Sequence, residues 1–152
     1  MQADKYNLLK LENQLCFPLY AASREIIKQY RPYLDKLGLT YTQYITMMVL
    51  WQENRISVKE LGRRLFLDSG TLTPVLKSLE QKGYISRYRS KEDERVLLAE
   101  ITAQGKQLRD KAASIPERIS SCVNLSGEEA ESLYSLLYKI LDSFKTHKGE
   151  HQ

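Results

Sequence analysis

The chain has only two cysteines, Cys16 and Cys122, 106 positions apart with no Cys-x-x-Cys pair, and only two histidines, His147 and His151, both in a polar tail. Such a sequence offers no ligand set for a structural zinc site. The same scarcity excludes histidine-dependent acyl transfer and His-Glu-x-x-His metalloproteases, and the seven scattered glycines form neither a P-loop nor Gly-x-Gly-x-x-Gly. Long hydrophobic runs are missing too. The longest uncharged stretch, Leu37 to Gln52, contains Thr40, Thr42, Gln43 and Thr46 and is too short and too polar to span a bilayer. The N-terminus lacks the basic region and apolar run of a secretory signal, so a cytoplasmic location without membrane contact is expected. With 152 residues, 42% hydrophobic and 28% charged, the chain has the composition of a single globular domain. No metal, cofactor or catalytic centre is expected, and the protein reads as a non-enzyme.

What is present is an uneven distribution of charge. The net charge is +4, but residues 59–95 alone carry +3, and within them Lys82, Arg87, Arg89 and Lys91 follow one another with no intervening acid. A small patch facing phosphate has this density.

The periodicity describes one unit, 1–152, mainly α with a small β wing. Leu8 to about Lys36 forms one or two helices, with Leu11, Leu15, Leu19, Ala22 and Ile26 on one stripe. Pro18 is expected to kink or restart this segment, because its ring clashes with the carbonyl of Gln14 and its nitrogen cannot donate; Gly38 ends it. Tyr41 to about Glu53 is a second helix, capped by Thr40 or Thr42, with Tyr44, Ile45, Met48 and Val49 on its buried side. Ser57 caps a short third helix, Glu60 completing a capping box, and Phe66-Leu67-Asp68 turns the chain. The fourth helix, about Ser69 to Gln81, buries Leu72, Val75, Leu76 and Leu79. A β-hairpin follows, Tyr84–Arg89 and Val96–Ile101 about a charged tip at Ser90–Arg95. Thr102 then caps a fifth helix to about Cys122, interrupted near Pro116, and Ser126 caps a sixth whose stripe from Leu133 to Phe144 requires a partner surface.

Two helices, a tight turn and a basic hairpin in this order make a winged helix-turn-helix, whose second helix enters the major groove. Ser69, Thr73 and Lys77 form a row opposite the leucines, with Asp68 and Thr71 at the N-terminal end, where base edges are read. The wing carries Arg87, Arg89, Lys91, Asp93 and Arg95; its arginines suit the backbone or the narrow minor groove, and Asp93 is placed to hold Arg95. Taken singly, each charge is ordinary solvated surface; their order points to DNA.

These segments resemble the MarR family of winged-helix regulators. The family's wing pattern, Asp-x-Arg followed by an aliphatic residue and Thr, stands here as Asp93-Glu94-Arg95 with Ile101-Thr102. Leu-Asp-Ser-Gly-Thr-Leu-Thr-Pro at 67–74, and Asn-Gln-Leu-Cys-Phe at 13–17 with Tyr20, resemble more narrowly the organic-hydroperoxide-sensing branch, the OhrR-type repressors. The resemblance covers most of the chain. It implies a homodimer built from the helices of 1–40 and 103–148, a DNA-binding part at 55–102, and a palindromic operator in double-stranded DNA.

A lone cysteine on an apolar helical face is ordinarily inert core, but Tyr20 lies one turn from Cys16 and offers a phenolic donor to a thiolate. The resemblance implies that Cys16 is the residue oxidised by an organic hydroperoxide and that Phe17, Tyr20, Tyr30 and Tyr41 line its pocket. Tyr30 is roughly 21 Å from Cys16 along a straight helix, so contact requires the other subunit or a break near Pro18. Cys122 by itself reads as a small residue at a helix end. Within the resemblance it is the resolving cysteine, forming an intersubunit disulfide with Cys16; capping of Cys16 by a small thiol is the other outcome. Two further functions fit parts of the sequence. A regulator gated by a small aromatic ligand would leave Cys16 structural, and a thiol peroxidase would use both cysteines but leave the wing unexplained.

Overall fold

A computed structural model describes residues 5–147; residues 1–4 and 148–152, His151 among them, lie outside the described residues. Two short 3-10 turns, Asn7–Leu9 and Leu11–Asn13, lead into helix α1, Cys16–Leu37. The amides of Asn13 and Gln14 fold these turns by donating back to the carbonyls of Asn7 (2.7 Å) and Lys10 (3.2 Å). The helix therefore starts at Cys16 and not at Leu8. This corrects the expected kink at Pro18, which falls in the first turn, where a missing N–H costs nothing. A second proline, Pro32, lies inside α1 and has no N–H to donate to Lys28, yet the helix runs through it to Gly38, which stops it in the left-handed region at φ 65°.

Helix α2, Tyr41–Glu53, is capped by Thr40 through a full capping box with Gln43. Its buried face carries Tyr44, Thr46, Met47, Val49 and Leu50, whereas Met48 is exposed, so the buried side expected from the spacing is turned by about one residue. The three-residue strand β1, Arg55–Ser57, is an addition to the expected elements, being too short for any periodicity to reveal it. Helix α3, Val58–Leu65, is capped by Ser57, but only half of the expected box forms, because the Glu60 carboxylate is taken by Arg63. Phe66 closes α3 in the left-handed region, and α4, Ser69–Gln81, begins on the Asp68 cap.

Strands β2 (Ile85–Arg89) and β3 (Leu97–Ile101) form the expected hairpin, and β1 adds to its other edge in the antiparallel order β1-β3-β2. Leu61, Leu72, Leu76, Leu79 and Ala99 close the core between α3, α4 and the sheet, with Met47 and Leu50 of α2 beneath. The fifth helix is interrupted near Pro116 as expected, into α5 (Ala103–Ala112) and α6 (Ile115–Ser120), and ends two residues short of Cys122. Ser126 caps the last helix, α7 at Gly127–His147, with Glu129 completing a capping box.

The residues to Ile119 form one compact unit and those from Ser120 another. The boundary falls at the last residue of α6, inside the segment 103–148. Within the second unit, Leu133, Leu136, Ile140 and Phe144 of α7 are all exposed.

At the start of α5 two backbones meet too closely for any side chain. A Cβ on Gly105 would lie 2.2 Å from the Tyr84 carbonyl oxygen and 2.8 Å from Ile101. In an isolated helix Gly→Ala stabilises by about 1 kcal/mol; here overpacking reverses the sign. Gly105→Ala is expected to lower stability by about 2 kcal/mol, a fall in Tm of roughly 4–8 °C by circular dichroism. A gain in Tm would mean that the contact relaxes freely.

Candidate nucleic-acid interface and cysteine site

The outward row of α4 follows from its inward one. With Leu72, Leu76 and Leu79 buried, Ser69 and Thr71 in the first turn and Thr73 and Lys77 beyond it are left exposed along α4. Thr73 Oγ1 donates to the Ser69 carbonyl (2.7 Å), which fixes its rotamer. Asp68 serves the helix itself, its Oδ1 accepting from the Thr71 N–H at 2.8 Å as the cap.

The wing tip presents a preset cation. Asp93 accepts from Arg95 three times, from its backbone N–H (3.1 Å), Nε (3.0 Å) and Nη2 (3.1 Å), while the Arg95 side chain remains 90% exposed. The guanidinium beside Asp93 holds its carboxyl below the usual carboxylate range. Arg89 and Lys91 are exposed nearby, and Arg89 Nη1 reaches the Arg95 carbonyl at 3.4 Å.

Two basic residues of the expected patch are engaged by acceptors of the protein itself. Arg87 is half-buried, its N–H and Nη2 both donating to the Glu80 carboxylate of α4 (2.9 and 3.2 Å). Lys82 donates to the Gly38 carbonyl and to Gln43 Oε1. A run of like charge in a sequence does not disclose which of its members have an acid or a carbonyl within reach. Conversely, Lys59 and Arg63 of α3, overlooked in the sequence, line one groove of about 440 Å³ with Ser69 and Arg95. Their i, i+4 spacing inside the most basic segment was the available signal. Gly62 lets α3 approach the turn there: a Cβ would come 2.9 Å from the Leu67 carbonyl oxygen.

Cys16 is the first residue of α1 and is exposed. Phe17, 43% exposed, lines a shallow groove beside it with Leu11, Gln14 and Pro18. Tyr20 is turned away to Arg24, whose guanidinium covers the ring and donates to its hydroxyl at 3.4 Å. At the far end of α1, Tyr30 packs edge-on against Tyr41 (ring centroids 5.0 Å) and against Tyr44 (5.8 Å). Burial pushes all three phenols above the ordinary tyrosine range, so they remain O–H donors. The structure thus brings Tyr30 of α1 and Tyr41 of α2 together and leaves Cys16 apart from them at the start of α1. Tyr44 joins the pair and was not among the expected pocket residues. Cys122 is exposed in the turn between α6 and α7.

Comparison with known proteins agrees with this geometry. Residues 28–112 match the family described as transcriptional regulator SarA/Rot. The organic hydroperoxide resistance transcriptional regulator of Bacillus subtilis is 51% identical over 140 residues, covering 92% of this chain and 95% of that protein. Among solved structures, reduced AbfR of Staphylococcus epidermidis bound to DNA superposes with a TM-score of 0.74 at 37% identity, over 92% of this chain and 97% of that one. Disulfide-formed AbfR superposes at 0.63 with 38% identity, over 90% and 96%.

If the Asp93–Arg95 fork is built for DNA, removing either residue weakens binding. Arg95→Ala is expected to raise Kd for duplex DNA about tenfold and to lessen the slope of log K against log salt by about one. Asp93→Asn removes a negative charge, yet is expected to weaken binding about threefold, because Arg95 loses its orientation. Anisotropy titrations at several salt concentrations check both, and tighter binding by Asp93→Asn would show that net charge alone matters.

Proposed function

Since this chain belongs to the SarA/Rot transcriptional regulators, winged-helix proteins of the MarR type, in the branch of the organic hydroperoxide resistance regulators, we propose that it is a DNA-binding repressor that releases its operator when Cys16 is oxidised. In this reading Ser69, Thr71, Thr73 and Lys77 enter the major groove on α4, positioned by the Asp68 cap, and Arg89, Lys91 and Arg95 meet the backbone or minor groove. The observation that carries it is the coexistence of the preset wing arginine with an exposed cysteine at the head of a helix whose other end packs, through Tyr30, on α2.

The chemistry is a single, sacrificial oxidation. The Cys16 thiolate attacks one peroxidic oxygen of an organic hydroperoxide, the O–O bond breaks, and the alcohol leaves as Cys16 becomes a sulfenic acid. The thiol of Cys122 from a second copy then displaces water to give a disulfide, or a small thiol does the same. Phe17 and Pro18 supply an apolar surface that suits an alkyl hydroperoxide.

Dimerisation completes the reading. Leu15, Phe17, Leu19 and Ile26 of the N-terminal region and Leu133, Leu136 and Phe144 of α7 are uncovered in the single chain, and two copies of the segments 1–40 and 103–148 would bury them. A palindromic operator follows from such symmetry. Because Cys16 is consumed without turnover, the protein is not an enzyme on this account.

A second reading has one observation behind it. Tyr44, Trp51 and Arg109 line a groove of about 330 Å³ between α2 and α5 that would admit a small aromatic ligand. The two readings part at Cys16.

Anisotropy of the reduced protein on DNA from upstream of its own gene, before and after one equivalent of an organic hydroperoxide, tests them. Kd is expected to rise tenfold or more for the wild type and to stay unchanged for Cys16→Ser, about 1.4 kcal/mol of release separating the two. Equal release from both would demote Cys16 to a structural residue. Non-reducing electrophoresis of Cys122→Ser then separates disulfide formation, which that variant loses, from capping by a small thiol, which it retains.

A further inference from the structure

Gln43 is the most buried charged or amide side chain on α2, 6% exposed, and two of its three side-chain bonds leave its own helix for another. Its Oε1 accepts from the Thr40 N–H (3.1 Å) and from Lys82 Nζ (3.0 Å), and its Nε2 donates to Ser78 Oγ (3.0 Å). Lys82 donates in addition to the Gly38 carbonyl. One amide thus joins three places: the α1–α2 turn, the start of α2, and the C-terminal end of α4. Ser78 and Lys82 lie one turn apart, and Ser78 directly follows Lys77 of the outward row. On the other side, Gln43 stands between Tyr41 and Tyr44, both packed on Tyr30. The leucines of α4 resist its leaving the core, but apolar contacts are non-directional and tolerate small slides and rotations. A directional tie to a buried amide does not, since breaking it strands polar groups away from water.

We propose that Gln43 is a positioning residue for DNA recognition: by holding Ser78 and Lys82 it sets the rotation and depth of α4, and so where Ser69, Thr73 and Lys77 meet the bases. The proposal rests on the reading above that α4 enters the major groove. It also makes Gln43 the place where a shift of the tyrosine-bearing helix is felt by the DNA-reading one.

Gln43→Met keeps the length and the helix propensity and removes the amide. The reduced variant is expected to remain folded by circular dichroism and to bind operator about tenfold more weakly, the discrimination carried by a single base contact. Its affinity for non-operator duplex of equal length should change less than about twofold, because the phosphate-facing cations are untouched. Gln43→Glu, which can accept from Thr40, Lys82 and a donating Ser78 hydroxyl, should restore operator binding. Ser78→Ala, which cuts the tie on α4 alone, should reproduce the loss in smaller measure, and it carries the test if Gln43→Met does not fold. Wild-type operator affinity in the folded Gln43→Met protein, or in Ser78→Ala, overturns the proposal. A parallel loss on operator and non-operator DNA overturns it as well, since that is what general damage produces. A wild-type chain with no operator preference would instead remove the reading of α4, and the proposal with it.

Discussion

The approach of two backbones at Gly105 is the constraint on which the rest depends. Thr102 Oγ1 donates to the Gly83 carbonyl at 2.6 Å, its N–H to the Tyr84 carbonyl at 3.0 Å, and the absence of a Cβ at Gly105 lets α5 descend onto that same carbonyl. From α2, the Trp51 indole donates to the Gly105 carbonyl at 2.9 Å. The end of α4, the exit of the wing, the end of α2 and the start of α5 are thereby fixed at one point. A side chain there would have to displace backbone, not merely another rotamer. At that point α2, α4, the wing and α5 meet in a junction with no slack.

Around that junction, charges divide by what they hold. Glu80 draws Arg87 of β2 onto α4, and the pair is partly shielded, so the wing and the recognition helix travel together. In the Asp93–Arg95 fork the arginine is almost wholly solvated, and an exposed ion pair of that kind contributes little to folding. Its value lies elsewhere: a long arginine held in one geometry loses less conformational entropy on meeting a phosphate or a groove. The same residue type thus serves cohesion at 87 and recognition at 95, and exposure distinguishes the two uses.

Much of this was legible in the sequence where a local rule has a unique outcome. Thr40 or Thr42 at the start of α2, Asp68 before Ser69, and Gly38 and Gly83 after their helices mark ends that caps and left-handed residues dictate, and α2 and α4 fall where those signals stand. Legibility failed where the outcome depends on side-chain partners and packing that spacing alone does not disclose. The leucines before Cys16 have helical spacing, yet side-chain amides bend that stretch into 3-10 turns. Met47 and Met48 are equally apolar, and only the packing of α2 decides which is buried. Lys82 and Arg87 are of one kind with Arg89 and Lys91 until Gly38, Gln43 and Glu80 are seen beside them. The sequence marks the residue types of the candidate site, whereas the partners that engage Lys82 and Arg87 are seen only in the fold.

The helix α1 then bears on how many chains a sensing site needs. It is unbroken from Cys16 to Leu37, with Pro18 absorbed in its first turn and Pro32 passed through. The rise of 1.5 Å per residue sets Cys16 and Tyr30 about 21 Å apart along it, and no bend near Pro18 shortens that distance. Tyr30 is pinned at its own end by Tyr41 and Tyr44, so it cannot reach back. If a tyrosine hydroxyl of this cluster is to meet the sulfur of Cys16, the sulfur must come from another copy. An oxidised sulfur in that position would press on the cluster of the opposite chain, and through α2 on its recognition helix. One modified residue would in this way act on the half-site that its own chain does not read.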